Sequence, residues 1–395
     1  MRAAWKLGAV GLVFGYFGAC APVQFDSLPE PSCGEDVSCF KQCTGDNCVR
    51  TYTVTRTVGE TPVDILIVND NSGSMSPIQE KFANAFSGFL DKLDSAGLDY
   101  RIAMTTTDIS NNQEYGSQRF GFEPVSLHNG PSQYNGYGAL QDGNLIEFAP
   151  GKKFLTKLDA NRENLFISAV QRPETLYCEQ SGYDEKKCPS NDERGIFALN
   201  LVIDRTAHEF MRDSSAVAVI ILANEDERGY SHLHPGRTED FARTYPTTPY
   251  DRPEIFVERF RSKYPGKTLA VHSIIVKPGD TTCRNQASEP GKMIIAKEGY
   301  AYADLSQRTG GIVGSICEWT HGGYTAQLEA IGDDIQKQVL ALPFSCRPDG
   351  DQYTVTVDPV QPVTWTPNWQ TMQLTSDQPL APGTTVKLTY SCSLN

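Results

Sequence analysis

The 395-residue sequence is short of positive charge: 35 Lys and Arg face 48 Asp and Glu, a formal net charge of −13. A general nucleic-acid partner needs a basic surface that displaces counterions from phosphates, so the acid excess argues against that class. The acid excess is also too small for a disordered acidic tail. Long apolar runs are missing: none reaches the ~20 residues that span a bilayer as a helix. Catalytic signatures are missing as well. There is no G-x-S-x-G elbow, no G-x-x-x-x-G-K-[ST] phosphate loop and no H-E-x-x-H zinc helix. No C-x-x-C spacing occurs, which removes a common zinc pattern. Long internal repeats are absent too. What is left is an ordinary globular composition, 39% hydrophobic and 21% charged, able to bury a core. Length alone predicts about two to three domains, or one large α/β domain with insertions.

Cysteine, by contrast, is abundant, at 11 residues. The N-terminus accounts for one of them. Arg2 and Lys6 form a positive n-region, residues 7–17 an uncharged apolar h-region, and Gly18 and Ala19 a small-residue cleavage site. That pattern predicts a secretory signal over residues 1–19. Phe17-Gly18-Ala19-Cys20 resembles a bacterial lipobox, with Phe17 where Leu is usual. The resemblance implies that Cys20 is diacylated and becomes the mature N-terminus. Two or three acyl chains anchor a protein stably to a membrane. Ala21 stands where an Asp would mark inner-membrane retention. An outer-membrane lipoprotein, facing the periplasm or the outside, is therefore expected. The alternative is a plain secretory signal followed by a chance Cys. Ten cysteines remain, an even number suited to disulfides in an oxidising compartment. Cys33, Cys39, Cys43 and Cys48 crowd behind a Pro-rich tether, with three pairings open and a zinc site as the alternative. Cys178 with Cys188 would staple a loop. Cys346 with Cys392 would tie the ends of a C-terminal segment, which leaves Cys283 with Cys317.

Hydrophobic patterning predicts the architecture. Residues 51–58 alternate β-branched and polar side chains, as in a half-exposed strand. Residues 63–68 (VDILIV), 216–222 (AVAVIIL) and 269–276 (LAVHSIIV) are near-continuous apolar runs of strand length, and 98–106 adds a fourth strand. Such runs suit strands covered on both faces, as in a parallel sheet. Ser76 and Pro77 open a helix whose apolar stripe is Ile78, Phe82, Phe86, Phe89, Leu90 and Leu93, and Gly97 ends it. Further helices are predicted near 157–171, 195–211, 252–264, 302–309 and 325–340, with a short strand at 311–316. After Pro343 the pattern changes to short alternating strands, at 353–357, 372–375 and 385–390, set between Pro and Gly turns. Residues 110–155 are irregular and rich in Asn, Gln, Gly, Ser and Tyr, and 228–250 form a second irregular loop with Tyr, His and Pro. The composition of the first suits a binding surface, or the loops are merely solvated.

Strands alternating with helices predict a doubly wound, mostly parallel sheet with a ligand crevice at the carboxyl ends of its strands. Asp70, Ser72 and Ser74 fall at the end of the first core strand. One carboxylate and two hydroxyls at alternate positions of a turn are oxygen ligands suited to a hard cation, Mg²⁺ or Ca²⁺. Gly73 would let both hydroxyls face one point. This D-x-S-x-S string, after a buried strand and before an amphipathic helix, is similar to the metal-binding loop of von Willebrand factor type A domains. The resemblance covers about residues 60–342. It implies a metal-ion-dependent adhesion site, whose open coordination position a partner's carboxylate fills. It also implies a Thr near residues 190–195, where Asp192 stands nearest and Glu193 is adjacent. A later Asp is implied after the strand at 216–222, where Asn224 stands, followed by Glu225 and Asp226. Exchanging Thr for Asp and Asp for Asn would roughly preserve the ligand charge. The metal ligands expected are thus Asp70, Ser72, Ser74, Asp192 and Asn224. The plainer reading is an Asx/Ser turn that only caps the helix.

The sequence therefore predicts five segments. They are a lipoprotein signal (1–19), a Cys-rich tether (20–50), a strand (51–60), a von Willebrand A-like α/β domain (61–342) and a C-terminal β unit (343–395) that the strand joins. The expected function is metal-dependent adhesion or ligand binding at the cell envelope, through a protein or surface ligand that offers a carboxylate. A metal-independent scaffolding lipoprotein is the alternative, favoured by Asn224 at an acid position. An enzyme is not expected. His232 and His234 could seed a zinc site but sit in a polar loop. A hydrolase built on Ser72 or Ser74 would need a His brought in by the fold.

Overall fold

The computed structural model describes residues 37–44, 47–57, 59, 61–109, 142–181, 193–227, 249–288, 296–318, 323–378, 380, 381 and 383–394. The signal segment, Cys20, Cys33, Cys188, Asp192, His232, His234 and most of both irregular loops lie outside the described residues, as do the side chains of Cys39 and Cys43.

Among the described residues, twenty-one helices and strands follow one another. They run β1 (Val37–Thr44), β2 (Asn47–Thr57), β3 (Val63–Asn69), α1 (Ser76–Ser95), β4 (Tyr100–Thr106), β5 (Leu155–Thr156), α2 (Arg162–Val170) and α3 (Pro173–Ser181). Next come α4 (Gly195–Arg205), β6 (Ala216–Leu222), α5 (Pro253–Lys263), β7 (Leu269–Ile275), α6 (Thr281–Ala287), α7 (Tyr300–Thr309), β8 (Val313–Ser315) and α8 (Gly323–Leu340). The chain ends in β9 (Leu342–Pro343), β10 (Tyr353–Asp358), β11 (Trp365–Asn368), β12 (Gln373–Ser376) and β13 (Thr385–Leu394).

A six-stranded sheet of order β5-β4-β3-β6-β7-β8 forms the centre. All its pairings are parallel except that of the two-residue edge strand β5 with β4. Side chains alternate across each strand, so both faces must be covered. Ile65, Ile67, Ala218 and Ile220 point into a layer built by Phe82, Phe86 and Phe89 of α1, Phe166 of α2, and Leu328, Ile331 and Ile335 of α8. Leu66, Val68, Val219 and Ile221 point the other way, toward Leu199 and Val202 of α4, Phe256 and Phe260 of α5, and Tyr302 and Leu305 of α7. This two-sided burial is why these strands read as unbroken apolar runs. Phe86 stacks on Phe166 with centroids 3.2 Å apart. Gly97 closes α1 at φ +68°, its N–H bonded to the Asp94 carbonyl.

Two antiparallel sheets make the second part: β1-β2-β13-β10 and β11-β12-β9. Strand β2 pairs with β13 along its length. The two sheets share a core of Tyr52, Val54, Val386, Leu388 and Tyr390 from one and Leu342 and Leu374 from the other, with Phe344 between. The Cys346–Cys392 disulfide closes this core. The sandwich meets the N-terminal ends of the parallel strands. There Arg56 Nη2 donates to the Gly266 carbonyl (2.8 Å) and Arg261 Nη2 to the Thr371 carbonyl (2.7 Å).

Several expected boundaries change. The strand expected at 51–60 begins at Asn47, and the segment read as tether contributes β1, its hairpin partner. The helix expected over 157–171 starts only at Arg162. Before it, Leu155 and Thr156 pair with the sheet edge, and Asp159 Oδ2 accepts from Thr156 N (2.8 Å) and Oγ1 (3.1 Å), closing a turn. The helix expected to run to 211 ends at Arg205. Strand β11 was hidden by Pro367, which is tolerated because β11 is an edge. Helices α3 and α6 were not anticipated.

One of the buried titratable groups is a histidine. His272, on β7, is fully buried, and its Nδ1 accepts from Ile312 N (3.1 Å). Its Nε2 is 3.9 Å from Asp334 Oδ2 on α8. Burial pushes its pKa down to about 3. The unfolded chain takes up this proton near pH 6.5 and the folded chain does not, so stability is lost as pH falls below 6.5. The loss should be about 2 kcal/mol at pH 5, from about 1.4 kcal/mol per pH unit. Asp70, raised to about 7, contributes with the opposite sign over the same range, so the His272 contribution is read as a difference. Urea unfolding at pH 7 and pH 5 should show the stability change of His272→Gln differing from that of wild type by that amount, and the absence of such a difference would assign it to other groups.

Candidate functional site

The site forms where β3 and β6 end. Asp70 N donates to the Leu222 carbonyl (2.9 Å), so the ladder carries Asp70 one step past the strand and toward β6. The chain then turns. Ser72 N donates to Asp70 Oδ1 (2.8 Å), and Met75 N to the Ser72 carbonyl (3.1 Å), closing a short 3₁₀ turn over Gly73–Met75. This turn brings Ser72 Oγ and Ser74 Oγ to 3.2 Å. From the end of β6, Asn224 Nδ2 donates to Ser74 Oγ (3.0 Å). Asp70, Ser72, Ser74 and Asn224 therefore share one place. Asp192 lies outside the described residues.

Asp70 is fully buried and Asn224 is 1% exposed. Two of their oxygens, Asp70 Oδ2 and Asn224 Oδ1, are buried without a hydrogen-bond partner. A buried acceptor left unmatched costs about 1–3 kcal/mol, so two in one place need an explanation. Burial pushes the Asp70 carboxyl up to about 7, and Glu225 adds to the rise, while bonds from Ser72 and Asn224 oppose it. The acids after Asn224 are engaged elsewhere. Glu225 is ion-paired with Lys297 (2.7 Å). Asp226 Oδ1 accepts from Ala301 N at the start of α7 (2.9 Å). Glu227 accepts from Ile196 N (2.8 Å) and Phe197 N (3.1 Å) at the start of α4. Among the described residues no three His, Cys, Asp or Glu side chains cluster as a metal site. The donor set here is instead one carboxylate, two hydroxyls and an amide oxygen, all hard oxygen ligands. That set, with two unmatched acceptors, fits Mg²⁺ or Ca²⁺ rather than zinc.

Behind the loop lies a polar network that sequence reading missed. Gln79 of α1 donates through Nε2 to the Asp70 carbonyl (2.8 Å) and accepts through Oε1 from Arg172 N (3.0 Å). Thr175 Oγ1 donates to the Asn71 carbonyl (2.7 Å). Asn71 Nδ2 donates to Glu174 Oε1 (3.1 Å), which also accepts from Arg172 Nε (2.8 Å). Helix α3 lies against the 3₁₀ turn so closely that a Cβ on Gly73 would stand 3.2 Å from Cys178 Cβ. A signal for α3 was present: Pro173 and Glu174 are a first-turn Pro and acid. Gln79 could have been noticed as a polar residue beside Ile78 on the buried stripe.

Disulfides join Cys283 to Cys317 and Cys346 to Cys392. Cys48 and Cys178 are also disulfide-bonded. The Cys283–Cys317 bridge ties α6 to the end of β8.

No family model matches the chain, and no curated protein does. Solved structures similar to it include bacterial pilus proteins. The pilus adhesin SpaC from Lactobacillus rhamnosus GG, in its open conformation, is 13% identical, with a TM-score of 0.35 over 90% of this chain and 42% of that one. A mutant of the PilB minor pilin from Streptococcus sanguinis is 10% identical, with a TM-score of 0.30 over 76% of this chain and 78% of that one. Proximal thread matrix protein 1 from the mussel byssus is 8% identical, with a TM-score of 0.32 over 73% of this chain and 50% of that one. The chain spans less than half the length of the SpaC adhesin.

Proposed function

We propose that this chain is a von Willebrand A-like envelope lipoprotein that binds its ligand through a divalent cation. The observation that carries the reading is the pair of buried, unmatched oxygens, Asp70 Oδ2 and Asn224 Oδ1, beside the paired hydroxyls of Ser72 and Ser74. Asp70, Ser72, Ser74 and Asn224 would hold Mg²⁺ or Ca²⁺, with Asp192 added from outside the described residues. A bound cation supplies positive charge at an open position. A partner's carboxylate would fill that position, which makes the cation a clasp. The chain's own part is to present oxygens at fixed spacing; burial raises the Asp70 pKa, so the ionised carboxylate is the form that a bound cation would stabilise. No catalytic role is assigned to Ser72 or Ser74. Their hydrogen bonds run to each other, to Asp70 and to Asn224. The reading places the protein at the outer membrane, held through Cys20.

The test is a titration of EDTA-treated full chain with MgCl₂ and CaCl₂, read by thermal or urea unfolding. At about 100 times Kd, a cation that binds only the folded state adds about 2.7 kcal/mol. EDTA should reverse the gain. No gain up to about 10 mM of either cation would sink the clasp (a concentration chosen on the order of weak extracellular sites). A metal-independent scaffold is the second reading, favoured by Asn224 where the resembling family carries an acid, and it predicts that null result.

A further inference from the structure

The metal loop has no regular secondary structure between Asn69 and Gly73, yet its oxygens must be held to a fraction of an ångström to bind a cation. Its carbonyls show what holds it. Those of Asp70 and Asn71 are taken by side chains: Gln79 Nε2 and Thr175 Oγ1. These two side chains also meet, Nε2 to Oγ1 at 3.3 Å. Gln79 is 1% exposed and Thr175 fully buried. One comes from the helix after the loop, the other from a helix about a hundred residues away. Both are committed to the loop's backbone carbonyls, and neither bonds to Asp70 Oδ2 or to the Ser72 and Ser74 hydroxyls.

We propose that Gln79 and Thr175 are positioning residues for the cation site, fixing the Asp70 and Asn71 carbonyls so that Asp70 Oδ2 and the Ser72 and Ser74 hydroxyls converge. This inference rests on the metal reading of the site. Gln79 is saturated in a directional way: its amide N–H groups serve Asp70 and Thr175, and its carbonyl serves Arg172 N. That fixes which way the amide points and clamps α1, α3 and the loop together. Glu in its place would set a carboxylate against the Asp70 carbonyl. Residues that orient ligands typically contribute about 10–100-fold to metal affinity.

The experiment is isothermal titration of the full chain with CaCl₂ and MgCl₂. The proteins compared are wild type, Gln79→Met, Thr175→Val and Thr175→Ser, with Phe166→Leu as a control that loosens the core away from the loop. The expected result is a roughly 10–100-fold weaker Kd in Gln79→Met and Thr175→Val. Thr175→Ser, which keeps the hydroxyl, should stay close to wild type, and so should Phe166→Leu despite its lower unfolding midpoint. Unchanged affinity in Gln79→Met and Thr175→Val overturns the positioning role while leaving the metal site standing. An equal loss in Phe166→Leu also overturns it, by assigning the effect to general stability. Absence of binding by wild type overturns the metal reading, and this inference with it. If Gln79→Met fails to fold, the Thr175 pair still decides.

Discussion

Glu174→Ala is expected to destabilise the protein by about 3–5 kcal/mol, because it removes the buried carboxylate that neutralises the Arg172 guanidinium, whose contact with the Ala169 carbonyl carries no opposite charge. Arg172 and Glu174 are both fully buried, with Nε and Oε1 2.8 Å apart. Burial raises the Glu174 pKa, and Arg172 opposes that rise. Removing the acid leaves the Arg172 charge in a place with little water to solvate it. The Asn71 side chain loses its acceptor at the same time. The converse change is predicted to be mild. Arg172→Met combined with Glu174→Leu removes both charges, and such replacements are often neutral or stabilising. Urea unfolding of the single and double variants gives the coupling directly. A single-variant cost below about 1 kcal/mol, the range of exposed pairs, would mean that water or the guanidinium's other contacts, such as that to the Ala169 carbonyl, compensate the charge. The double variant should still lose cation response if Asn71 drifts, which separates the stabilising role of the ion pair from its effect on the loop.

How much of this was legible in the sequence depends on where each constraint originates. Strands β3, β6 and β7 were legible because both faces of each are covered, which demands an unbroken apolar run. Helix α1 was legible because its Phe and Leu residues recur at helical spacing and Gly97 terminates it. The strands of two residues, β5 and β9, carry no period at all; their pairing is decided by the neighbouring edge. Strand β11 was masked by Pro367, a residue that argues against a strand unless its edge position is known. Helix α3 has almost no amphipathic character, since its buried face is polar: Glu174 and Thr175 point at a loop, not at a core. The site divides the same way. Asp70, Ser72 and Ser74 were legible because a local turn brings them together. Asn224 was placed only through the strand it follows. Gln79 and Thr175 were not legible, since nothing in a sequence marks which side chain will meet a loop carbonyl.

Asp70→Asn should have two effects of opposite sign, and their combination is diagnostic of the metal reading. In the metal-free protein the Asp70 carboxyl is raised to about 7 by burial. A carboxyl raised in the folded state makes stability fall as pH climbs from about 4 to 7, because the unfolded chain ionises first. A shift of about three units corresponds to as much as about 4 kcal/mol at pH 7.5, and Asn is spared it. Metal-free Asp70→Asn should therefore be more stable than metal-free wild type at pH 7.5, and the gap should shrink to about 1 kcal/mol at pH 4.5. With saturating Ca²⁺ or Mg²⁺ the order should reverse, since the cation stabilises the ionised Asp70 and Asn carries no charge to hold it. Asn224→Asp works in the other direction. It adds a second carboxylate beside Ser74, so the metal-free protein should weaken and cation affinity should rise. Unfolding curves at the two pH values, each with EDTA and with cation, contain all these comparisons. If Asp70→Asn is less stable than wild type in EDTA at pH 7.5, the carboxylate is serving the turn through its bond to Ser72 N, and the helix-capping reading of this loop replaces the metal one. If the stabilities cross on adding cation, the buried charge is there to be neutralised, which a capping turn alone would not require.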